Sequence, residues 1–103
     1  QILFLDNSIL KTIGRRAFYQ CPLIHTVDAI NCTLVTNIGY EAFKNSNEMR
    51  LFKIGTVTPP ECYSNSFGQV GVYSVLKVPS GVAEAYKSAE GWKKFASITG
   101  LDE

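Results

Sequence analysis

The sequence predicts an α/β repeat solenoid, right-handed, with a short parallel β-sheet on one side and a C-terminal capping helix. Three observations lead there. The segment IGRRAF at 13–18 returns as IGYEAF at 38–43, and in weakened form as CYSNSF at 62–67. Apolar residues recur at fixed distances from the phenylalanine that ends each copy. After Pro79 this period gives way to a helical pattern. Repetition at 20 to 50 residues marks small units that cannot bury their apolar faces alone and stack to share one core.

The phenylalanines Phe18, Phe43 and Phe67 anchor the frame. The sixth residue after each is Ile24, Met49 or Tyr73, the ninth is Val27, Phe52 or Leu76, and the eleventh is Ala29, Ile54 or Val78. All are apolar or aromatic, and this predicts that they point inward. Leu10 and Val35 precede the IG site by three residues, although the third copy has Pro59 there. Ile2 and Phe4 fit the ninth and eleventh positions of a preceding copy.

A spacing of two puts both side chains on one face of a β-strand. The frame therefore predicts strands at 2–4, 26–29, 51–54 and 75–78. Each returns parallel to the last, because the roughly 20 intervening residues form a crossover rather than a hairpin. Gly14 and Gly39 are expected to turn the chain within that crossover. Irregular or short helical turns are expected on the side opposite the sheet. Residues 1–79 are read as repeat turns and 80–103 as a helical cap within the same domain. The chain opens on the apolar stretch QILFL, which suggests an N-terminally truncated array whose earlier turns lie upstream.

In the C-terminal part, Val82, Ala85, Tyr86 and Ala89 follow the stripe of an amphipathic helix. Ser80 is the expected N-cap, Glu84 sits near the positive end, and Gly91 stands where a helix ends. Trp92 and Phe95 are expected to cover the open end of the stack.

Composition narrows the function. The chain has 103 residues, with 46% hydrophobic and 18% charged, and its ten basic and nine acidic side chains are interspersed for a net charge of +1. Such a balance gives no electrostatic footprint for nucleic acid or an anionic membrane. No apolar run approaches the ~20 residues of a membrane span, so no transmembrane segment is expected in this chain. Cys21, Cys32 and Cys62 have no CxxC spacing and are expected to be free thiols, two of them at inward positions and Cys32 outside the repeat frame.

No Gly-rich phosphate loop, HExxH helix or nucleophile elbow occurs, so neither an enzyme nor a cofactor or metal site is expected. Cys21 and His25 could form a thiolate–imidazole pair, but the frame sends Cys21 inward and His25 toward solvent. The carboxylates Asp28, Glu41, Glu48 and Glu61 fall on different turns with no shared site. Asn31, Cys32 and Thr33 spell an Asn-x-Thr acceptor that carries little weight on its own.

Strand alternation assigns Leu3, Thr26, Asp28, Leu51, Lys53, Val75 and Lys77 to the exposed sheet face. Stacking makes columns of them: Gln1, Thr26, Leu51 and Val75, then Leu3, Asp28, Lys53 and Lys77. Apolar residues flanked by charge suit a partner-binding face. The plainer alternative is a solvated sheet face on which Asp28 and Lys53 form a cross-strand pair worth at most ~1 kcal/mol. Tyr19, Tyr40 and Tyr63 are candidate aromatics for carbohydrate binding, although they do not form one column.

The repeats LKTIGRRAFYQCPLIHTV and VTNIGYEAFKNSNEMRLFKI, the TPP at 58–60 and the ending LKVPSGVAEAYKSAEGWKKFASI together resemble the C-terminal end of a BspA-like leucine-rich repeat protein, a cell-surface class common in Bacteroides. Ser46 and Val70 depart from the cysteines that this family tends to have. The resemblance implies BspA-type leucine-rich repeats in a secreted or surface-anchored adhesion protein. It would bind host or microbial macromolecules, protein or glycan, without catalysis. Three readings follow: a recognition module using its sheet face, a structural cap of a longer binding array, and a carbohydrate-binding module.

Overall fold

In the computed structural model, residues 2–19, 21, 24–44, 48–68, 70 and 73–102 are described. Gln1 and Ser46, which figured in the sequence reading, lie outside them. The chain forms a small solenoid-like stack of about four turns with little helix. One parallel sheet of five strands runs in the order β1 (Ile2–Phe4), β3 (Thr26–Ala29), β5 (Leu51–Ile54), β7 (Val75–Val78) and β8 (Ser97–Gly100). A second parallel sheet has three two-residue strands, β2 (Thr12–Ile13), β4 (Asn37–Ile38) and β6 (Glu61–Cys62).

All four expected strands form at their expected bounds, and three alternate as the frame requires. Val27, Ala29, Phe52, Ile54, Leu76 and Val78 are buried, while Thr26, Asp28, Leu51, Lys53, Val75 and Lys77 are half-buried on the opposite face. The first strand is the exception. Ile2 pairs with Thr26 and Phe4 with Asp28, a repeat step one residue shorter than the step that pairs Thr26 with Leu51. A one-residue change in register sends every side chain of a strand to the other face. Leu3 therefore points inward beside Val27, and Ile2 and Phe4, expected to be buried, face outward at 62% and 59% exposure.

The IG sites are strands rather than irregular turns. Ile13, Ile38 and Cys62 stack inward in register, and they bury or half-bury the side opposite the five-stranded sheet. Neither Gly14 nor Gly39 turns the chain by a positive φ. That conformation falls two residues later, at Arg16 and Glu41, each with φ 55°. Glycine is needed at 39 for another reason: an added Cβ would stand 2.5 Å from the Arg15 backbone nitrogen of the turn stacked on it. The same atom on Gly14 would meet nothing within 4 Å.

The anchor phenylalanines form the spine of the core. Phe18 stacks on Phe43 at 5.1 Å between ring centroids and Phe43 on Phe67 at 5.7 Å, with Phe52 edge-on to Phe43 and Phe67. These are the offset and edge-to-face arrangements that aromatic quadrupoles favour. Backbone bonds run from turn to turn beside them, Phe18 N to Ala42 O and Phe43 N to Ser66 O, both 2.7 Å. Cys32, which the frame left unplaced, is fully buried, and its thiol donates to the Leu5 carbonyl at 3.3 Å. All three cysteines are free.

Tyr73 departs from the frame. It is 86% exposed, and Ser74 takes the buried place, its Oγ accepting the Ala96 N–H at 3.2 Å and its carbonyl accepting Ser97 N–H. Those bonds bring in the unexpected fifth strand, so the stacking continues past Pro79: Val75 pairs with Ser97 and Val78 with Gly100. The helix α1 (Ala83–Lys87) is a single short turn, preceded by Val82 rather than Ser80 at the N-cap and without a side-chain cap. Ala85 is exposed, and Tyr86 alone of its five residues is buried. The five-residue helix is thus a minor element of a C-terminal part that ends in a strand. Trp92 and Phe95 do cover the end of the aromatic spine, at 4.8 and 5.2 Å from Phe67. Two buried polar side chains of this part bond across it, Trp92 Nε1 donating to Pro60 O at 2.9 Å and Tyr86 Oη to Thr56 O, whereas the buried Thr99 hydroxyl has no partner among the described residues.

Candidate functional site

The outward face of the five-stranded sheet follows directly from strand register. One row reads Ile2, Thr26, Leu51, Val75, Ser97, and the next reads Phe4, Asp28, Lys53, Lys77, Thr99. Of the expected site residues, the structure brings together Thr26, Asp28, Leu51, Lys53, Val75 and Lys77. It removes Leu3 to the core and puts Ile2 and Phe4 in its place. Asp28 lies beside Lys53 in register, and one of its carboxylate oxygens also accepts the Ile30 N–H at 3.3 Å. Lys53 and Lys77 are direct neighbours in register, which makes this part of the face basic.

A second surface lies along the small sheet. A groove of about 580 Å³ is walled by Thr12 and Asn37 on one side and by Arg15, Tyr40 and Tyr63 on the other, with Gly14 and Gly39 between. The Arg15 guanidinium sits over the Tyr40 ring at 5.2 Å, and the Tyr40 and Tyr63 rings are 6.1 Å apart at 56°. Sequence reasoning had all three tyrosines but no column. The repeat alignment already sets Cys62 against Ile38, and so Tyr63 level with Gly39, as the small sheet has it. What the alignment does not give is the direction of the side chains, which brings the Tyr63 ring to that of Tyr40, one residue further along. Tyr19 belongs elsewhere, under Arg16 at 5.0 Å.

Beside this groove is an ionic cluster. Glu41 is almost fully buried and accepts from Lys44 Nζ at 2.7 Å and Arg16 Nε at 2.8 Å. The Lys44 hydrogen bond, helped by that of Arg16, outweighs desolvation and holds the carboxyl below its ordinary value. The Arg16–Glu41 pair joins two residues that both have positive φ and ties turn one to turn two.

The candidate thiolate–imidazole pair does not assemble. Cys21 Sγ donates to the Tyr19 carbonyl at 3.8 Å and His25 Nδ1 lies 3.0 Å from Thr26 Oγ1, so each has a different neighbour. Burial, with the Glu90 charge adding to it, pushes the Cys62 thiol up to about 12, far from a nucleophile's range. Among the described residues no group of three or more His, Cys, Asp or Glu could hold a metal ion, and no helix is long and apolar enough to cross a membrane. No protein-family model, curated protein or solved structure matches this chain.

Proposed function

We propose that this chain is a non-enzymatic recognition module that binds a protein partner through the outward face of its five-stranded sheet. The observation that carries the reading is the register of Lys53 against Lys77 beside Leu51 against Val75. The inward residues of β5 and β7 hold the strands in the stack, so the outward pairs can vary and here combine basic heads with aliphatic side chains. An acidic partner segment with apolar flanks would match both the charge and the aliphatic pair. Ile2 and Phe4 extend the apolar part of the same surface to the sheet edge.

The repeat motifs and the VPSGVAEAYKSAEGWKKF ending support a finer proposal: a BspA-like leucine-rich repeat protein, secreted or held at a bacterial surface and acting in adhesion, with 80–103 as the cap of its repeat array. The buried aromatics of that segment favour the cap role. The direct test is biolayer interferometry of the chain against immobilised extracellular-matrix proteins and mucins. At least one protein ligand should bind, and its affinity should fall as ionic strength rises from about 0.05 to 0.5 M, where the Debye length shrinks several-fold. Binding to no protein, or binding indifferent to salt, would contradict the reading.

A further inference from the structure

We propose that the groove along the small sheet binds saccharides that carry a carboxylate, with Tyr40 and Tyr63 as the stacking surfaces and Arg15 as the partner of the acid. The groove belongs to the second sheet and shares no residue with the outward face of the first, so this inference stands independently of the protein-binding reading.

The chemistry of a pyranose matches the walls. One face of the sugar ring is a patch of C–H groups, slightly positive and apolar, which packs against the negative face of an aromatic ring. Its rim is hydroxyl, which wants donors and acceptors together. Tyr40 and Tyr63 supply the rings, and at 56° to each other they make an open V rather than a closed stack; Tyr63 is 56% exposed. Asn37 supplies an amide with two donors and an acceptor, and Thr12 a hydroxyl. The space beside Gly14 is open, with nothing within 4 Å of where its side chain would stand. A volume of about 580 Å³ falls in the range of small-ligand sites.

Arg15 sets the class of sugar. Its neighbour Arg16 is engaged by Glu41, whereas among the described residues none accepts a hydrogen bond from the Arg15 guanidinium. The guanidinium sits over the Tyr40 ring, 5.2 Å from its centroid, in the wall of the groove. A planar fork is matched by a carboxylate, which it binds bidentately. Among the described residues that line the groove none is acidic.

The test uses two acid–neutral pairs, oligogalacturonate with its methyl ester and sialyllactose with lactose, titrated into the intact chain by calorimetry. The first pair represents uronate polymers and the second sialylated chains, so the arms separate the two sources of the same group. At least one acidic member should bind, with its neutral partner weaker by about ten-fold or more. Arg15→Gln should abolish that preference, Tyr63→Ala should weaken the acid by at least about ten-fold, and Lys53→Glu should change nothing. Amide shifts of the unmodified chain should centre on Asn37 and Tyr40, a readout independent of variant folding. Failure of both acids to bind, equal binding of acid and neutral sugars, or shifts centred elsewhere would overturn the proposal.

Discussion

A methyl group on Gly39 would stand 2.5 Å from the backbone nitrogen of Arg15 and 2.6 Å from the carbonyl carbon of Gly14. Non-bonded heavy atoms do not approach so closely, and both neighbours are backbone that the inter-turn bond from Gly39 N to Ile13 O holds in place at 2.7 Å. The glycine of the IG motif is a spacing device between stacked turns.

Gly39→Ala and Gly14→Ala therefore form a matched pair. The first forces the turns apart and should cost about 3 kcal/mol or prevent folding. The second adds a methyl group to open space and should change stability by less than about 0.5 kcal/mol. Urea denaturation of the two variants reads the difference, and equal effects would refute close stacking at this position.

Trp92→Ala should cost about 3 to 5 kcal/mol. The indole is fully buried against Phe67 and Phe52, and its removal also leaves the Pro60 carbonyl without the Nε1 donor. Exposure of the Phe67 face should appear as binding of a hydrophobic dye by the variant and not by the unmodified chain. A variant as stable as the parent would show that the aromatic spine needs no cover at this end.

Glu41 gives the fold an acid limit. Its folded-state pKa lies below the ordinary value of 4.5, so the unfolded chain takes up the proton first as pH falls. The Glu41 contribution is complete above 4.5 and is lost as pH falls through the depressed folded value. Glu41→Gln should lower the melting temperature at neutral pH and flatten this part of the acid decline. An unchanged acid limb in the variant would assign the decline to other carboxyls.

Thiol reactivity checks the placement of the cysteines. Cys32 is fully buried, and the Cys62 thiol, pushed up to about 12, stays protonated at neutral pH. Brief treatment of the native protein with iodoacetamide near neutral pH should leave both unmodified by peptide mass mapping, whereas denaturant should release both. Rapid alkylation of native Cys62 would contradict its environment.

What the sequence disclosed and what it hid have one physical cause. Phe18, Phe43, Phe67 and the strands they place were legible because inward residues must be apolar and their spacing is fixed within a turn. The spacing between turns is not fixed. Repeat steps that differ by a single residue look alike in a sequence, yet the odd residue reverses Ile2, Leu3 and Phe4. The meeting of Tyr63 with Tyr40 was hidden for another reason: the alignment sets Tyr63 against Gly39, and only the side-chain directions bring the two rings together. The last strand was missed because Ser97 follows Val75 at a shorter step than separates any earlier pair of neighbours in that sheet, and its turn lacks an anchor phenylalanine. The helical pattern from Val82 to Ala89 was real but brief, and most of it serves to set Tyr86 over Thr56. Six of the seven residues expected on the outward sheet face lie there, because the frame had the registers of their strands right; Leu3 does not, and Ile2 and Phe4 stand outward in its strand.

The outward sheet face is tested most directly by the double variant Lys53→Glu, Lys77→Glu, assayed by interferometry on the protein ligand that the unmodified chain binds best. Neither side chain belongs to the buried core, so the melting temperature should stay within a few degrees, about 1 kcal/mol for a domain of this size. The account predicts that affinity falls by at least about ten-fold at physiological salt. Binding retained in full by the folded double variant would contradict it.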